Sequence, residues 1–227
     1  MSESVLILRP QPGADRSAAR ARANGLQPTV APLFTIKPMA WEAPDPDSFD
    51  ALVLTSANAA RNAGDGLTPF LGLPVYAVGE ESAAAAIEAG ALDVRVGPAD
   101  GAALLEMMEA QGVRSALHLC GREHQLPATD AISILSIPIY AADAVDRLPA
   151  AAQTAISAGA VALLHSARAA KVFGSLVDSQ RHRIRIAAIS ASAADSAGSG
   201  WADIEVAAEP RDHALLEAAA KLCQRGN

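Results

Sequence analysis

Residues 52–60 read LVLTSANAA, and residues 162–170 read ALLHSARAA. Five of the nine positions are identical, and the second run starts 110 residues after the first. Each begins as a short apolar strand and passes through a serine into an alanine-rich stretch that reads as a helix. The echo extends outward. AVGEESAA (77–84) answers AISASAAD (188–195), GALDVRV (90–96) answers GWADIEV (200–206), and AALLEMM (102–108) answers HALLEAA (213–219). The offset stays at 110 or 111 throughout. One register held over three strand–helix units points to a duplicated structure, and not to chance alanine matching.

The first copy continues into SALHLCG (115–121), for which the second copy has no room before the sequence stops. SVLILRP (4–10) supplies the counterpart. A helix is expected after each, over 13–25 and as a short helix after 121. An extended, proline-containing segment follows each in turn, PTVAPLFTIKP (28–38) and ISILSIPIYAADAV (132–145). Strict strand–helix alternation argues for parallel sheets covered by helices on both faces. The expected fold is therefore α/β, with two similar domains cut from the chain at different points. Domain A comprises 1–35 plus 143–227, and domain B is the continuous middle, 39–134. Segments 28–38 and 132–145 are expected side by side as a two-stranded β-ladder connector. Two chain crossings would allow a hinge and leave a cleft.

A net charge of −7 argues against a general nucleic-acid binder but leaves room for a small anionic ligand held by helix N-termini and a few arginines. Cys120 and Cys223 have no close spacing, which fits a reducing compartment. The opening MSESVLILRPQP has no basic region and a short apolar run, so no signal peptide is expected. The uncharged stretch 148–167 is interrupted by Pro149, Gln153, Gly159 and His165 and does not read as a membrane span. A cytoplasmic protein without membrane or nucleic-acid partners is the expectation.

Ligands of open parallel sheets bind beyond the carboxyl ends of the strands. Those ends carry Arg9-Pro10, Ser166-Ala167-Arg168 and Ser190-Ala191-Ser192 in domain A. In domain B they carry Ser56-Ala57-Asn58, Gly79-Glu80-Glu81-Ser82 and Gly121-Arg122. Small residues let backbone N–H groups approach a ligand, and serine or asparagine caps the following helix. Capping alone explains any single serine; six such edges facing one cleft point toward binding. No GxGxxG, GxxxxGK[ST] or HExxH occurs. In HLCGREH, His118 and Cys120 alternate onto one strand face, as metal ligands could. No second cluster completes a site, and a buried strand explains Cys120 without metal, so none is expected. His165 is either a base at a strand end or a satisfied core histidine. Tyr140, in the returning connector, is either a proton donor or a packing aromatic.

Taken in order, VLILRP, LVLTSANAA, VYAVGEESAAAAIEAG, LHLCGRE, IPIYAADAV, ALLHSARAA, AAISASAADSAGSG and IEVAAEPRDHALLEA resemble the uroporphyrinogen-III synthase family over nearly the whole chain. The resemblance implies two domains joined by a β-ladder. It also implies cyclisation of hydroxymethylbilane to uroporphyrinogen III with inversion of ring D and loss of water, without metal or organic cofactor. It assigns Tyr140 to assisting hydroxyl loss. Substrate binding falls to Ser56 and Ser166, to the loop Gly79, Glu80, Glu81 and Ser82, and to its second copy Ser190, Ala191 and Ser192. This sequence departs from the pattern where His165 replaces a threonine and Ser190 a glycine, and where Ala193 stands in place of a hydroxyl. A degenerate non-catalytic homologue and a hinged binder of a small polyanion are the alternatives. Nothing in the sequence demands more than a monomer.

Overall fold

The computed structural model describes residues 3–97, 101–124 and 126–225. Its first half runs β1 (Ser4–Ile7), α1 (Gly13–Ala23), β2 (Gln27–Val30), β3 (Phe34–Pro38), β4 (Ala51–Leu54), α2 (Ala57–Asn62), β5 (Pro74–Val78), α3 (Gly79–Glu88), β6 (Asp93–Gly97) and α4 (Gly101–Ala110). The second half runs β7 (Ser115–Gly121), β8 (Ser133–Ala144), α5 (Ala150–Ser157), β9 (Val161–Leu164), α6 (Ala167–Leu176), β10 (Arg185–Ala188), α7 (Ala191–Ala197), β11 (Asp203–Val206) and α8 (Asp212–Arg225). The chain divides into two compact units, Met1–Thr35 with Ala144–Asn227, and Ile36–Asp143.

The first unit holds a sheet of order β11-β10-β9-β1-β2, parallel throughout. The second holds β6-β5-β4-β7-β8, also parallel, with β3 added beyond β8. The two orders correspond strand for strand, and so do the registers. Leu52 lies opposite Val75 and Leu117, as Ala162 lies opposite Ile186 and Leu6. A slip of one residue would turn every side chain to the other face, so this agreement means that equivalent residues face equivalent helices.

β3 is antiparallel to β8: the Met39 N–H donates to the Ile139 carbonyl and the Val145 N–H to the Leu33 carbonyl. Segment 28–38 is thus divided. Gln27–Val30 belongs beside β1, and only Phe34–Pro38 pairs with β8.

Central strands β4 and β9 are buried at all four positions, as strands covered on both faces must be. One face of the second unit's sheet packs Leu52, Leu54, Leu117 and Leu119 on the small Ala59, Ala60, Ala85 and Ala86 of α2 and α3. The opposite face packs Ala51, Val53 and Ala116 on Leu104, Leu105 and Met108 of α4. In the first unit, Val5, Ile7, Val161 and Leu163 pack on α1 and α8.

Three sequence expectations change. β1 ends at Ile7 and not at Pro10. The short helix expected after β7 is absent among the described residues, which are irregular from Arg122 to Ile132. Pro127 has no N–H for a helix and disfavours helical backbone at Leu126, and both instead pack beside Gly101. Helix α5 was not anticipated. It opens after Pro149, buries Ala152 and Ala155 three apart, and closes at Gly159 with a left-handed φ of 81°. With so much alanine it shows little contrast between faces, which hides it from periodicity.

Candidate active site

Tyr140 owes its direction to a β-bulge. Along β7 and β8 the pairing keeps step to Cys120 opposite Pro138, and then Gly121 lies opposite Tyr140. One extra residue in β8 interrupts the alternation. Ile137, Ile139 and Tyr140 consequently all pack in the cluster under α2 and α3. Without the bulge, the tyrosine would share the face of His118 and Cys120. The ring lies against Gly121, where an added Cβ would stand 2.9 Å from the ring Cζ and 3.0 Å from the phenolic oxygen. Tyr140 is 8% exposed. Its carbonyl accepts from the Arg122 N–H at 2.8 Å. Arg122 pairs with Asp143 at 2.8 Å, which also pairs with Lys37 at 3.0 Å. Hydrogen bonds from Lys37 and Arg122 hold the Asp143 carboxyl below its ordinary range.

The serines at the strand ends cap their own helices. Ser56 Oγ accepts from the Asn58 N–H at 3.2 Å, Ser166 Oγ from Ala169 at 3.1 Å and Ser190 Oγ from Ala193 at 3.3 Å. Capping uses an oxygen lone pair, and the hydroxyl proton is what each serine can offer a carboxylate. Asn58 is half-buried and Ala57 buried, Ala167 is half-buried, and Ala191 and Ser192 are exposed. Helix α3 differs: it has no side-chain cap, and Gly79 opens it with φ 73°. Glu80 and Glu81 fill its first turn, with Glu81 3.6 Å from Arg61, so this edge offers an anion backbone N–H groups beside carboxylates. Ser82 is buried in the first turn of that helix.

Arg9 and His165 are drawn inward around Asp212 at the start of α8. The Asp212 carboxylate accepts from Ser17 Oγ at 2.8 Å, from His165 Nε2 at 3.0 Å and from Arg20 at 2.9 Å, with Arg9 3.9 Å away. Burial alone would raise its pKa; the bonds from His165, Arg20 and Ser17 outweigh that and bring it well below the ordinary carboxylate value. Burial lowers His165 despite its carboxylate partner. His165 Nδ1 is buried and has no partner among the described residues. A lone pair there is tolerable and a proton is not, which assigns a neutral ring donating from Nε2 to Asp212. His165 is therefore a core histidine, and its base role is not supported. Sequence reasoning missed Ser17 and Asp212; the signal was the acid of RDH (211–213), which opens the closing helix.

The second unit places an imidazole differently. Thr55, the counterpart of His165, lies with Oγ1 3.0 Å from His118 Nε2, and His118 Nδ1 lies 3.0 Å from Ser136 Oγ. This polar chain crosses β4, β7 and β8. At the position of His118 the first unit has Ile7. Each copy thus carries one enclosed imidazole near its central strands, His118 on β7 in one and His165 just past the end of β9 in the other.

The sequence profile of the family described as Uroporphyrinogen-III synthase HemD matches residues 15–217. No curated protein matches significantly. A uroporphyrinogen-III synthetase structure from Helicobacter pylori is similar at 17% identity and TM-score 0.64, covering 98% of this chain and 100% of that one. A mutant uroporphyrinogen III synthase structure from the extremely thermophilic bacterium Thermus thermophilus is similar at 16% identity and TM-score 0.56, covering 98% and 99%. At these identities the structures speak for the fold, and the family profile speaks for the family.

Proposed function

The chain belongs to the uroporphyrinogen-III synthase family, and from that premise we propose that Tyr140 and the strand-end rims of the two units carry the family's reaction. The activity is the cyclisation of hydroxymethylbilane to uroporphyrinogen III with inversion of ring D and loss of water, a hydro-lyase reaction (EC 4.2.1.75) of tetrapyrrole biosynthesis. The observation that carries the residue assignment is the bulge that sets the Tyr140 phenol against Gly121 at the carboxyl end of β7.

The terminal hydroxyl of the substrate leaves as water, and it needs a proton or a hydrogen bond as it departs. Tyr140 supplies that bond. An electron-rich pyrrole expels hydroxide with modest help, so the phenol assists without being indispensable. The harder task is to hold a flexible chain so that its ends meet in the inverted sense. Positioning of that kind is worth up to about 7–11 kcal/mol. We assign it to the hydroxyls of Ser56, Ser166 and Ser190, to the backbone N–H groups beside Ala57, Asn58, Ala167, Ala191 and Ser192, and to the Gly79–Glu81 edge. Gly121 leaves space for the phenol, and Arg122 stands at the same strand end, paired with Asp143. Arg9 and Ser82 act indirectly, as packed members of their edges.

The enzyme is proposed to be a cytoplasmic monomer. Cys120 and Cys223 are both free and buried, which suits a reducing compartment, and one chain carries every residue assigned here. Among the described residues no helix is long and apolar enough to cross a membrane. Steady-state assay of Tyr140→Phe tests the assignment. Turnover is expected to fall by up to about 100-fold, the lower end of general-acid contributions, with circular dichroism unchanged. Unchanged turnover, or complete loss in a folded variant, would contradict it.

A further inference from the structure

The face of β7 opposite Tyr140 carries chemistry that ring closure does not use. His118, Cys120 and His124 each bring one possible ligand atom to within 4.8 Å of the others. Strand alternation puts His118 and Cys120 side by side, and the turn through Arg122 and Glu123 brings His124 back over them. The two imidazole rings meet edge to face, with centroids 5.4 Å apart. His118 and Cys120 are buried and His124 is exposed. We propose that these three side chains form a binding site for a thiophilic divalent cation, zinc, with its fourth position open to water.

Donor chemistry and surroundings both suit zinc. Tetrahedral zinc takes histidine nitrogen at about 2.0–2.1 Å and cysteine sulfur at about 2.3 Å. The donor atoms must therefore draw together from their present spacing, and exposed His124 is the one with room to rotate inward. A neutral imidazole has one ring nitrogen with a lone pair to give a metal and one that keeps its proton. Both nitrogens of His118 lie 3.0 Å from a hydroxyl, Thr55 on one side and Ser136 on the other. The nitrogen that binds the metal gives up its hydroxyl partner, and the other remains an N–H held by a hydroxyl, the outer-shell support that orients metal-binding histidines. Cys120 is a free, buried cysteine, and the thiolate is the form that binds metal, so the cation must displace the thiol proton. The step balances without a redox partner: the S–H bond breaks, the Zn–S bond forms, and the proton goes to solvent.

Titration of the metal-stripped full chain with zinc, in competition with a chromophoric chelator, tests the proposal. One zinc per chain is expected. Cobalt in its place gives a thiolate-to-metal charge-transfer band that Cys120→Ser lacks. His124→Ala, at an exposed position, keeps the fold and weakens binding by at least about 10–100-fold, the loss that removing even an outer-shell partner causes. His182→Ala and His213→Ala leave the affinity unchanged. No binding in competition with the chelator overturns the proposal. So does zinc affinity that survives His124→Ala, because the metal then sits on other surface groups. If Cys120→Ser fails to fold, His124→Ala and the charge-transfer band of the parent protein decide.

Discussion

Gly121 and Tyr140 form a contact in which the absence of a side chain is the useful property. Gly121→Ala would place a Cβ 2.9 Å from the Tyr140 ring. The backbone there has no left-handed requirement, so the chain keeps its path and the ring must move. Turnover is expected to fall about as far as in Tyr140→Phe, with stability changed by no more than about 1–3 kcal/mol, the usual cost of overpacking. Wild-type kinetics in this variant would show that the position of the phenol is unimportant. His165 gives a second test. Burial lowers its pKa, so the unfolded chain takes up a proton near pH 6.5 that the folded chain refuses. Its contribution is complete above that pH and falls as pH drops, by up to about 1.4 kcal/mol per unit. Urea midpoints measured from pH 7 to pH 5 should fall more for the parent protein than for His165→Gln. Parallel curves would mean that His165 is not held neutral.

At the scale of elements, the serines at the helix starts were legible because capping chemistry is local. Ser166→Ala and Ser190→Ala should each cost about 0.5–2 kcal/mol in urea unfolding, and KM for hydroxymethylbilane should rise if the same hydroxyls meet its carboxylates. Lost stability with unchanged KM would leave capping as their sole role. The bulge in β8 was not legible. An extra residue in an apolar run leaves no mark on composition, yet it decides which face Tyr140 joins. Helix α5 was hidden for a related reason, since alanine gives little contrast between buried and exposed faces. His124 was visible in HLCGREH, but only the irregular chain after β7, where a helix was expected, brings it beside His118 and Cys120.

For the molecule as a whole, repetition was the informative signal. An offset held at 110 or 111 residues anticipated equivalent strands, and the two sheets share order and register across β6-β5-β4-β7-β8 and β11-β10-β9-β1-β2. SVLILRP, which the sequence offers as the counterpart of SALHLCG, supplies β1 between β9 and β2. Duplicated architecture did not preserve duplicated chemistry. Thr55 with His118 in one copy becomes His165 with Asp212 in the other, because a buried polar group needs only some partner, and each copy has found its own. His165, where the sequence departs from the family pattern, belongs to a core hydrogen-bond network in the structure. The most direct measurement supplies hydroxymethylbilane to the purified chain, oxidises the products and resolves the porphyrin isomers. Isomer III in excess is the predicted result, and isomer I alone, the product of spontaneous closure, would contradict the account.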